Sequence, residues 1–489
     1  MKKLATLLLL GSASIALATA AHAGDRATSN GTSSSQSAND AKIQQLEQDI
    51  QDLNAQVQDL KRSSSDQYAD IQKTQASGAK FSMKNGRPTF TDGDFSLSLR
   101  ALVQYDTAYY MQGKSIPAST DFSSGSNFRR ARFGFEGTAF NDWQYNFIYD
   151  FGGSGLEGST ISSAYVQYNG LAPVHFRIGA FPPSESFDDT TSASDLLFLE
   201  RAQPTDLARG IAGSDGRDAF QVFAYDDNYF ASIAYTGTLA GTGSQFDEQQ
   251  ALVGRAAYRP IASDDVNLAI GGDFTYVVKL PDSAAGPNSP HLFTLSERPE
   301  LNVDDNNIRL ISSGAIDASH VFEWGGEVAG NYQNFYGQGG YFGFDVIRRG
   351  LGNPSNLPDP NFNGWYVQGS WILTGEVKKW KADTGSFAAP KPNDPFTIDK
   401  AGIGAWEIVA RYSGLNLNYH AGAFGTAQTP DAIRGGDQRI GTIGVNWYPN
   451  QVLRFMLDYQ RTDVSKLSSA GARANAHESA ISLRTQISF

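Results

Sequence analysis

The chain has 489 residues and no cysteine, so neither a disulfide framework nor a thiolate metal site can form. It has only six histidines, and no two of them stand at the spacing by which a helix binds a metal ion. Neither a nucleophile elbow nor a phosphate-cradling glycine loop is present. We therefore expect no enzyme, no cofactor and no metal site.

Basic residues are also fewer than acidic residues. The chain has 39 basic residues against 51 acidic residues, which gives a formal net charge of −12. A nucleic-acid partner is not expected, because phosphate-backbone binding requires a basic surface.

Long apolar runs are scarce, and the one that exists lies at the N-terminus. Two lysines precede an apolar stretch, Leu4 to Ala20, which ends in the small-x-small tripeptide Ala21-His22-Ala23. This order of features predicts a secretory signal peptide over residues 1–23. A retained membrane anchor is the alternative, but the apolar core is short for a spanning helix.

What the chain has in abundance is aromatic residues, which make up 12%, and glycine, with 50 residues. From about residue 95 onwards, apolar and polar residues alternate over segments of roughly ten residues, as in transmembrane β-barrels. Between Trp143 and Phe151, for example, aromatic residues alternate with Gln144, Asn146 and Asp150. The core of a soluble sandwich favours Val, Ile and Leu, whereas aromatics near strand ends are typical of the interfacial girdles of a barrel. The chain also ends in Phe489, and a C-terminal aromatic on the last strand is commonly read by barrel-assembly machinery.

The connections between these segments alternate between short and long. Short periplasmic turns and long outer loops give this rhythm, and counting the strands gives sixteen, with both ends in the periplasm. One connection, residues 375–403, is long where a short turn is expected. The sequence thus predicts an all-β fold, a 16-stranded antiparallel transmembrane β-barrel over residues 91–489. Its surroundings would be the lipid and lipopolysaccharide of a Gram-negative outer membrane.

A short helix is predicted ahead of the barrel, over residues 41–62, between a flexible linker (24–40) and a second linker (63–90). Its apolar residues follow a 3-4-3-4-3 spacing: Ile43, Leu46, Ile50, Leu53, Val57 and Leu60. This a/d seam predicts a coiled coil, because so short a helix is marginal alone in water. β-branched residues at a with Leu at d favour two strands in peptides, but an outer-membrane barrel of this kind favours three, so we predict a homotrimer. A solvated spacer helix without a partner is the alternative.

The face opposite the aromatics should line the lumen, and it is rich in arginine. The inward arginines are Arg100, Arg130, Arg132, Arg177, Arg255, Arg411, Arg454 and Arg484. The inward acids are Asp106, Glu136, Asp150, Glu407 and Asp458. Eight positive against five negative charges predict a basic wall that concentrates anions, since a low-dielectric lumen focuses the field. The alternative is that the arginines pair with the acids and only brace the wall.

Two features of this set locate a candidate site. Arg130 and Arg132 stand two apart on one strand face, with Glu136 four residues beyond, so we expect one arginine to pair and the other to meet solute. The connection 182–216 begins with two prolines and carries an apolar patch, Leu196 to Leu199, next to Glu200 and Arg201. An apolar patch in a loop needs cover, so we predict a constriction loop folded into the lumen. An outer loop packed at a subunit interface is the alternative.

Several motifs resemble the O/P family of phosphate-selective porins, in family order and from about residue 80 to the end. They are Phe128 to Gly137, Arg177 to Phe181, Leu196 to Arg201, Arg298 to Glu300, Trp365 to Gln368, Thr374 to Glu376, Gly404 to Glu407 and Asn446 to Tyr448. The resemblance implies a trimer of 16-stranded barrels, a ladder of inward arginines and constriction loops in the lumen. It also implies that the connection 375–403 is tucked into the channel. The lysines of this segment are Lys378, Lys379, Lys381, Lys391 and Lys400.

The chain departs from the family pattern in one respect. Family members selective for phosphate place lysine just after the strand that ends here at Phe181, whereas this chain has Pro182 there and no lysine in 182–216. That loop carries Glu185, Asp188, Asp189, Asp195 and Asp206 instead. We therefore expect an outer-membrane porin for passive diffusion of small anions such as phosphate or pyrophosphate, with selectivity weaker than the family's. The alternative is a general or weakly selective porin whose coiled coil tethers the envelope.

Overall fold

The computed structural model describes residues 34–84, 86–113, 121–153, 160–242, 246–350, 356–399 and 401–489. The chain divides into two compact units, Met1–Gly78 and Ala79–Phe489. The predicted signal peptide and the start of the predicted linker 24–40 lie outside the described residues. No helix among the described residues combines the length and the apolar character needed to cross a membrane.

The first unit contains one helix, α1 (Ser34–Ser77), of 44 residues. It is longer at both ends than the predicted helix 41–62, because neither proline nor glycine interrupts the stretch between its ends. Much of both predicted linkers is therefore helical. The six apolar residues of the predicted seam are all exposed, by 45% to 70%.

The second unit is built from strands. In chain order these are β1 (Lys80–Lys84), β2 (Arg87–Asp92), β3 (Phe95–Gln112), β4 (Gly125–Ala139), β5 (Trp143–Asp150), β6 (Thr160–Leu171), β7 (Val174–Ala180), β8 (Arg217–Asp226), β9 (Tyr229–Leu239), β10 (Gln250–Ala262), β11 (Val266–Lys279), β12 (Leu292–Phe293), β13 (Ser296–Glu297), β14 (Ile311–Ser312), β15 (Ile316–Tyr332), β16 (Phe335–Arg348), β17 (Asn361–Ile372), β18 (Trp380–Lys381), β19 (Ser386–Phe387), β20 (Ala405–Tyr419), β21 (Ile433–Tyr448), β22 (Leu453–Ser465) and β23 (Ala476–Ser488). Two helices lie between β7 and β8, namely α2 (Phe187–Thr190) and α3 (Gln203–Ala212).

Sixteen of these strands close into a barrel: β3 to β11, β15 to β17 and β20 to β23. Each is antiparallel to its neighbours, and the last strand pairs with the first, from Ser488 opposite Leu102 to Glu478 opposite Gln112. Beyond that ladder, Phe489 and Ala101 exchange two backbone hydrogen bonds of 3.0 Å. The predicted 16-stranded antiparallel barrel is confirmed.

The outside of the barrel is apolar, and aromatic pairs gather near the end with the short turns. Trp406 and Trp447 stack with ring centroids 5.5 Å apart, and Phe335 stacks on Trp371 at 5.6 Å. The other end carries the long loops. Such an aromatic girdle and such a difference in loop length are typical of outer-membrane barrels, whose short turns face the periplasm.

Two connections fold into the interior of the barrel. The first, here called loop 3 (residues 181–216), buries its apolar patch, so that Leu196, Leu197, Phe198 and Leu199 are at most 5% exposed. The second, here called the inner segment (residues 373–404), comes from the short-turn end and buries Phe387. The two meet where the rings of Phe187 and Trp380 approach, with centroids 6.4 Å apart.

Candidate functional site: an arginine-lined vestibule

A cavity of about 800 Å³ lies at the long-loop end, next to loop 3, and is here called the vestibule. Its walls come from β4, β5, β6 and β9, from α3 and from the connection between β11 and β15, here called loop 5 (residues 280–315). Among the described residues, six arginines line it: Arg129, Arg130, Arg132, Arg209, Arg298 and Arg309. The acids in the same lining are Asp150, Asp206, Asp215 and Glu297.

Arg129 belongs to the vestibule although its position in the alternation points it outwards. The pairing of β3 with β4 shifts between Gln104, opposite Arg130, and Tyr105, opposite Phe128. This irregularity leaves Arg129 as an extra residue, as in a β-bulge, which re-aims a side chain. Its Nε lies 2.7 Å from Oε1 of Glu200 in loop 3. The alternation of the sequence could not reveal Arg129, because the bulge depends on the partner strand.

Arg130, a predicted lumen arginine, is 2% exposed. Its Nη1 donates to Oε1 of Gln104 at 2.8 Å, and its Nη2 lies 3.9 Å from Glu200. Its Nε has no hydrogen-bond partner among the described residues. Arg130 is therefore less completely paired than Arg132.

Arg132 holds two carboxylates. Its Nε donates to Asp150 on the adjacent strand at 2.7 Å, and its Nη2 donates to Asp215 in loop 3 at 2.5 Å. The expected role of Glu136 as a partner of this pair is wrong. Four residues along a strand span roughly 13 Å, so Glu136 meets Arg87 at 2.8 Å and Arg100 at 3.0 Å instead.

The acids of loop 3 that face these arginines stay ionised. Burial alone would raise the pKa of Glu200, but Arg129, Arg130 and Arg484 outweigh burial and lower that pKa well below the ordinary value. Burial likewise opposes the charge of Asp215, and Arg132 and Arg209 outweigh it and lower the pKa strongly. Both carboxylates therefore keep their charge at every pH at which the channel would work.

Three of the predicted lumen arginines bind the backbone of loop 3. Arg411 Nη1 donates to the carbonyl of Glu200 at 2.9 Å, and Arg484 Nη1 donates to that of Leu199 at 2.6 Å. Arg454 Nη1 donates to the carbonyl of Ser194 at 3.2 Å. These contacts hold the apolar patch of loop 3 against β20, β22 and β23.

The remaining predicted lumen arginines lie away from the vestibule. Arg255 donates to the carbonyls of Thr384 and Gly385 in the inner segment, at 2.8 and 2.5 Å. Arg177 donates to Gln167 at 2.8 Å and lies over the ring of Tyr165. Arg100 meets Glu136 near the short-turn end.

The two loop residues predicted at the constriction differ in their surroundings. Glu200 joins the arginines of β4, as described above. Arg201 instead donates to the carbonyls of Asp188, Asp189 and Thr191, at 3.0 to 3.1 Å, and so braces loop 3 internally.

The described lysines of the inner segment do not line the vestibule. Lys378 Nζ lies 3.0 Å from Glu407, and both side chains are nearly inaccessible to solvent. Lys379, Lys381 and Lys391 do not line the vestibule, and Lys400 lies outside the described residues.

The interior wall also carries acids that the sequence analysis did not count. Asp273 on β11 and Glu323 and Glu327 on β15 are at most 7% exposed. Glu327 accepts from the backbone N–H of Phe187, and Thr275 donates to Glu185 at 2.9 Å, so this part of the wall also holds loop 3. The expected excess of eight arginines over five acids is therefore too large for the wall as a whole. Six of the eight predicted arginines lie on β3, β4, β20, β22 and β23, and the acids Asp106, Glu136, Glu407, Asp458 and Glu478 lie on the same strands.

This chain is similar to known porins in both sequence and structure. The family model described as phosphate-selective porin O and P matches residues 95–489. Porin O of Pseudomonas aeruginosa is 25% identical over 404 residues, which cover 78% of this chain and 85% of that protein. Among solved structures, the anion-selective porin from Comamonas acidovorans gives a TM-score of 0.47 at 12% identity, covering 81% of this chain and 100% of that one. The high-pH structure of Pseudomonas putida OprB gives 0.48 at 9% identity, covering 81% and 94%.

The match to the family spans most of the chain and all sixteen barrel strands. The resemblance seen in the sequence motifs is thereby confirmed. The chain belongs to the phosphate-selective porin O and P family and is an outer-membrane porin, a channel rather than an enzyme.

Proposed function

We propose that this porin carries small anions, such as phosphate or pyrophosphate, by passive diffusion, and that the vestibule attracts them. The observation that carries the proposal is the row Arg129, Arg130 and Arg132 on β4, three guanidinium groups that line one cavity. Glu200, Gln104, Asp150 and Asp215 already accept hydrogen bonds from these three side chains, so the attraction rests on the summed positive charge of the lining. The family to which the chain belongs also supports this solute class.

The charge of the vestibule lining also supports a preference for anions. Six arginines face four acidic residues, so the lining is formally positive. Burial, together with the nearby Asp206, raises the pKa of Glu297 to about 8, so this carboxyl is mostly neutral at pH 7. A positive lining between low-dielectric walls raises the local concentration of anions.

The five acids counted above in loop 3 weaken this attraction less than their number suggests, whereas Glu200 and Asp215 of the same loop partly neutralise Arg129 and Arg132. Of Glu185, Asp188, Asp189, Asp195 and Asp206, only Asp206 lines the vestibule. Asp189 is held by Arg209 at 2.6 Å, and Glu185 points at Thr275. Because loop 3 still lacks lysine, we propose anion preference with modest rather than strong phosphate selectivity.

The test is the zero-current potential of the purified protein in a planar bilayer under a KCl gradient, followed by phosphate titration of the chloride current. A potential on the anion side supports the proposal, and block by phosphate at millimolar concentration or below supports phosphate as a solute. A potential on the cation side would overturn it.

A second candidate role follows from α1. The apolar residues of the α1 seam are all exposed in the single chain, so we expect α1 to associate with partner helices. We propose that residues 41–62 associate as a three-stranded coiled coil in a homotrimer, that residues 1–23 direct export, and that the barrel sits among lipid and lipopolysaccharide. If α1 also tethers the envelope, deleting residues 41–62 should weaken envelope integrity, measured by detergent sensitivity, while conductance per barrel persists.

A further inference from the structure

The lining of the vestibule carries apolar residues as well as charged ones, and an inorganic ion can use only the charged ones. We propose that it binds organic anions, meaning molecules with an oxyanion group and a compact apolar body. The β4 arginines would take the oxyanion, and the apolar wall would take the body. This inference rests on the proposed anion preference and names the class of anion.

The apolar wall is interrupted by Arg209 on α3 and by Arg298 and Arg309 in loop 5, which stand on the same elements as its apolar residues. Leu207 and Ile211 on α3 and Leu295 in loop 5 belong to one buried hydrophobic cluster, and Phe293 packs against that cluster. All four side chains line the vestibule, together with Leu239 at the end of β9. Phe293 is only partly buried, so part of its ring remains open to a ligand.

The two walls lie on different sides of the vestibule. Going round the barrel, β4 is followed by β5, β6, β7 and β8 before β9 is reached, and Leu239 is paired with Arg217 on β8. Phe293 lies further round still, because β12 pairs with β15, where Phe293 is opposite Ile316. A molecule whose oxyanion reaches the β4 arginines can therefore place an apolar group against Leu239 and Phe293 on the other side.

The size of the vestibule agrees with this class. Its volume of about 800 Å³ is in the range of cavities that enclose small organic ligands, roughly 300 to 1,000 Å³. An inorganic phosphate ion would fill only a small part of it and would leave the wall of Phe293 and Leu239 in contact with water. Covering that wall with an apolar group is favourable in proportion to the area removed from water.

The first experiment uses the unaltered protein in a planar bilayer and compares three blockers of the chloride current. The three blockers are inorganic phosphate, methyl phosphate and phenyl phosphate. All three contain a phosphate group, and they carry no apolar group, a methyl group and a phenyl ring, respectively. We expect phenyl phosphate to block at about tenfold lower concentration than methyl phosphate, since its ring can cover part of the apolar wall. Equal block by the two esters would overturn the inference.

The second experiment assigns the effect to the wall. Phe293→Ser should bring block by phenyl phosphate to within about twofold of block by methyl phosphate. Phe424→Ser is the matched control, because Phe424 is 65% exposed in a different loop and does not line the vestibule. An unchanged preference in Phe293→Ser would also overturn the inference.

The outcomes separate this inference from the proposed function. If the zero-current potential is on the anion side and both esters block equally, anion preference stands and the organic-anion class falls. If the potential is on the cation side, the proposed function falls, and the inference falls with it. Should Phe293→Ser fail to assemble, the comparison of esters on the unaltered protein decides alone.

Discussion

Arg484 on the last strand and Asp106 on the first strand form two parallel hydrogen bonds of 2.6 Å, and neither side chain is exposed to solvent. The two residues are directly opposite each other in the ladder that closes the barrel. Arg484 also lies 3.2 Å from Glu200 and donates to Leu199, so one guanidinium joins the closing strands to loop 3.

The first prediction concerns the contribution of this buried ion pair to the stability of the barrel. Arg484→Met should lower the free energy of unfolding by about 3 to 5 kcal/mol, because Asp106 is left as an unpaired buried charge. Adding Asp106→Leu should recover part of that loss, since the uncompensated charge is then gone. Urea unfolding followed by tryptophan fluorescence measures both.

The exposed pair Arg461 and Asp463, at 2.9 Å, provides the control. Arg461→Met should cost at most about 1 kcal/mol, as is usual for ion pairs in water. If both arginine substitutions cost the same, the buried pair has no special part in closure.

A second prediction concerns ion selectivity. Replacing both Arg130 and Arg132 by Ala removes two positive charges from the vestibule, leaves Asp150 without its arginine partner and leaves Asp215 with Arg209 alone. The chloride-to-potassium permeability ratio should fall several-fold and move towards the cation side, as measured from the zero-current potential.

Arg439→Ala is the matched control for this pair of substitutions. Arg439 lies on β21 and is exposed, so the same loss of an arginine should leave the ratio unchanged. An unchanged ratio in the double variant would remove the β4 arginines from the proposed site.

A third prediction concerns pH. The pKa of Glu297 is raised to about 8, by burial first and then by Asp206, so the group is neutral below pH 8 and gains a negative charge above it. Chloride selectivity should therefore decrease as the pH rises from 7 to 9. Zero-current potentials in KCl measure this selectivity. No phosphate is present in that experiment, so the change of phosphate's own charge with pH does not interfere. Glu297→Gln should abolish the decrease, and a decrease of the same size in that variant would assign it to another group.

A fourth prediction concerns α1. Leu46→Asn with Leu53→Asn should lower the temperature at which the proposed trimer dissociates on a semi-native gel, because two layers of the apolar seam become polar. Gln48→Asn with Gln51→Asn is the control, since these positions lie off the seam. A dissociation temperature equal to that of the control would show that the seam does not join subunits.

The fold was largely predictable from the sequence, because strand alternation is a local property of period two. That period reveals which face of β5 or β22 is apolar, and sixteen such segments define the barrel. The pairing inside the lumen was less predictable, because it depends on which residues loop 3 brings to the wall. Arg132 meets Asp215, a residue 83 positions away, rather than the nearby Glu136.

Arg129 shows a different limit. A bulge exists only between two strands, so a single strand's sequence assigns Arg129 to the wrong face. The acids Asp273, Glu323 and Glu327 were not predicted, because only strands with clear alternation show which of their residues face inward.

The contact between Arg484 and Leu199 has a consequence for the order of assembly. Loop 3 is synthesised early, but this hydrogen bond spans 285 positions, and its partner lies in the final strand. Bringing such distant segments together carries a large loop-closure cost, so these contacts form late in folding. The closure of the barrel and this attachment of loop 3 are therefore completed in one step, when the C-terminal strand docks. A nascent barrel that lacks its last strand would have an open side, and its loop 3 would lack the hydrogen bonds from Arg484 and Gln486.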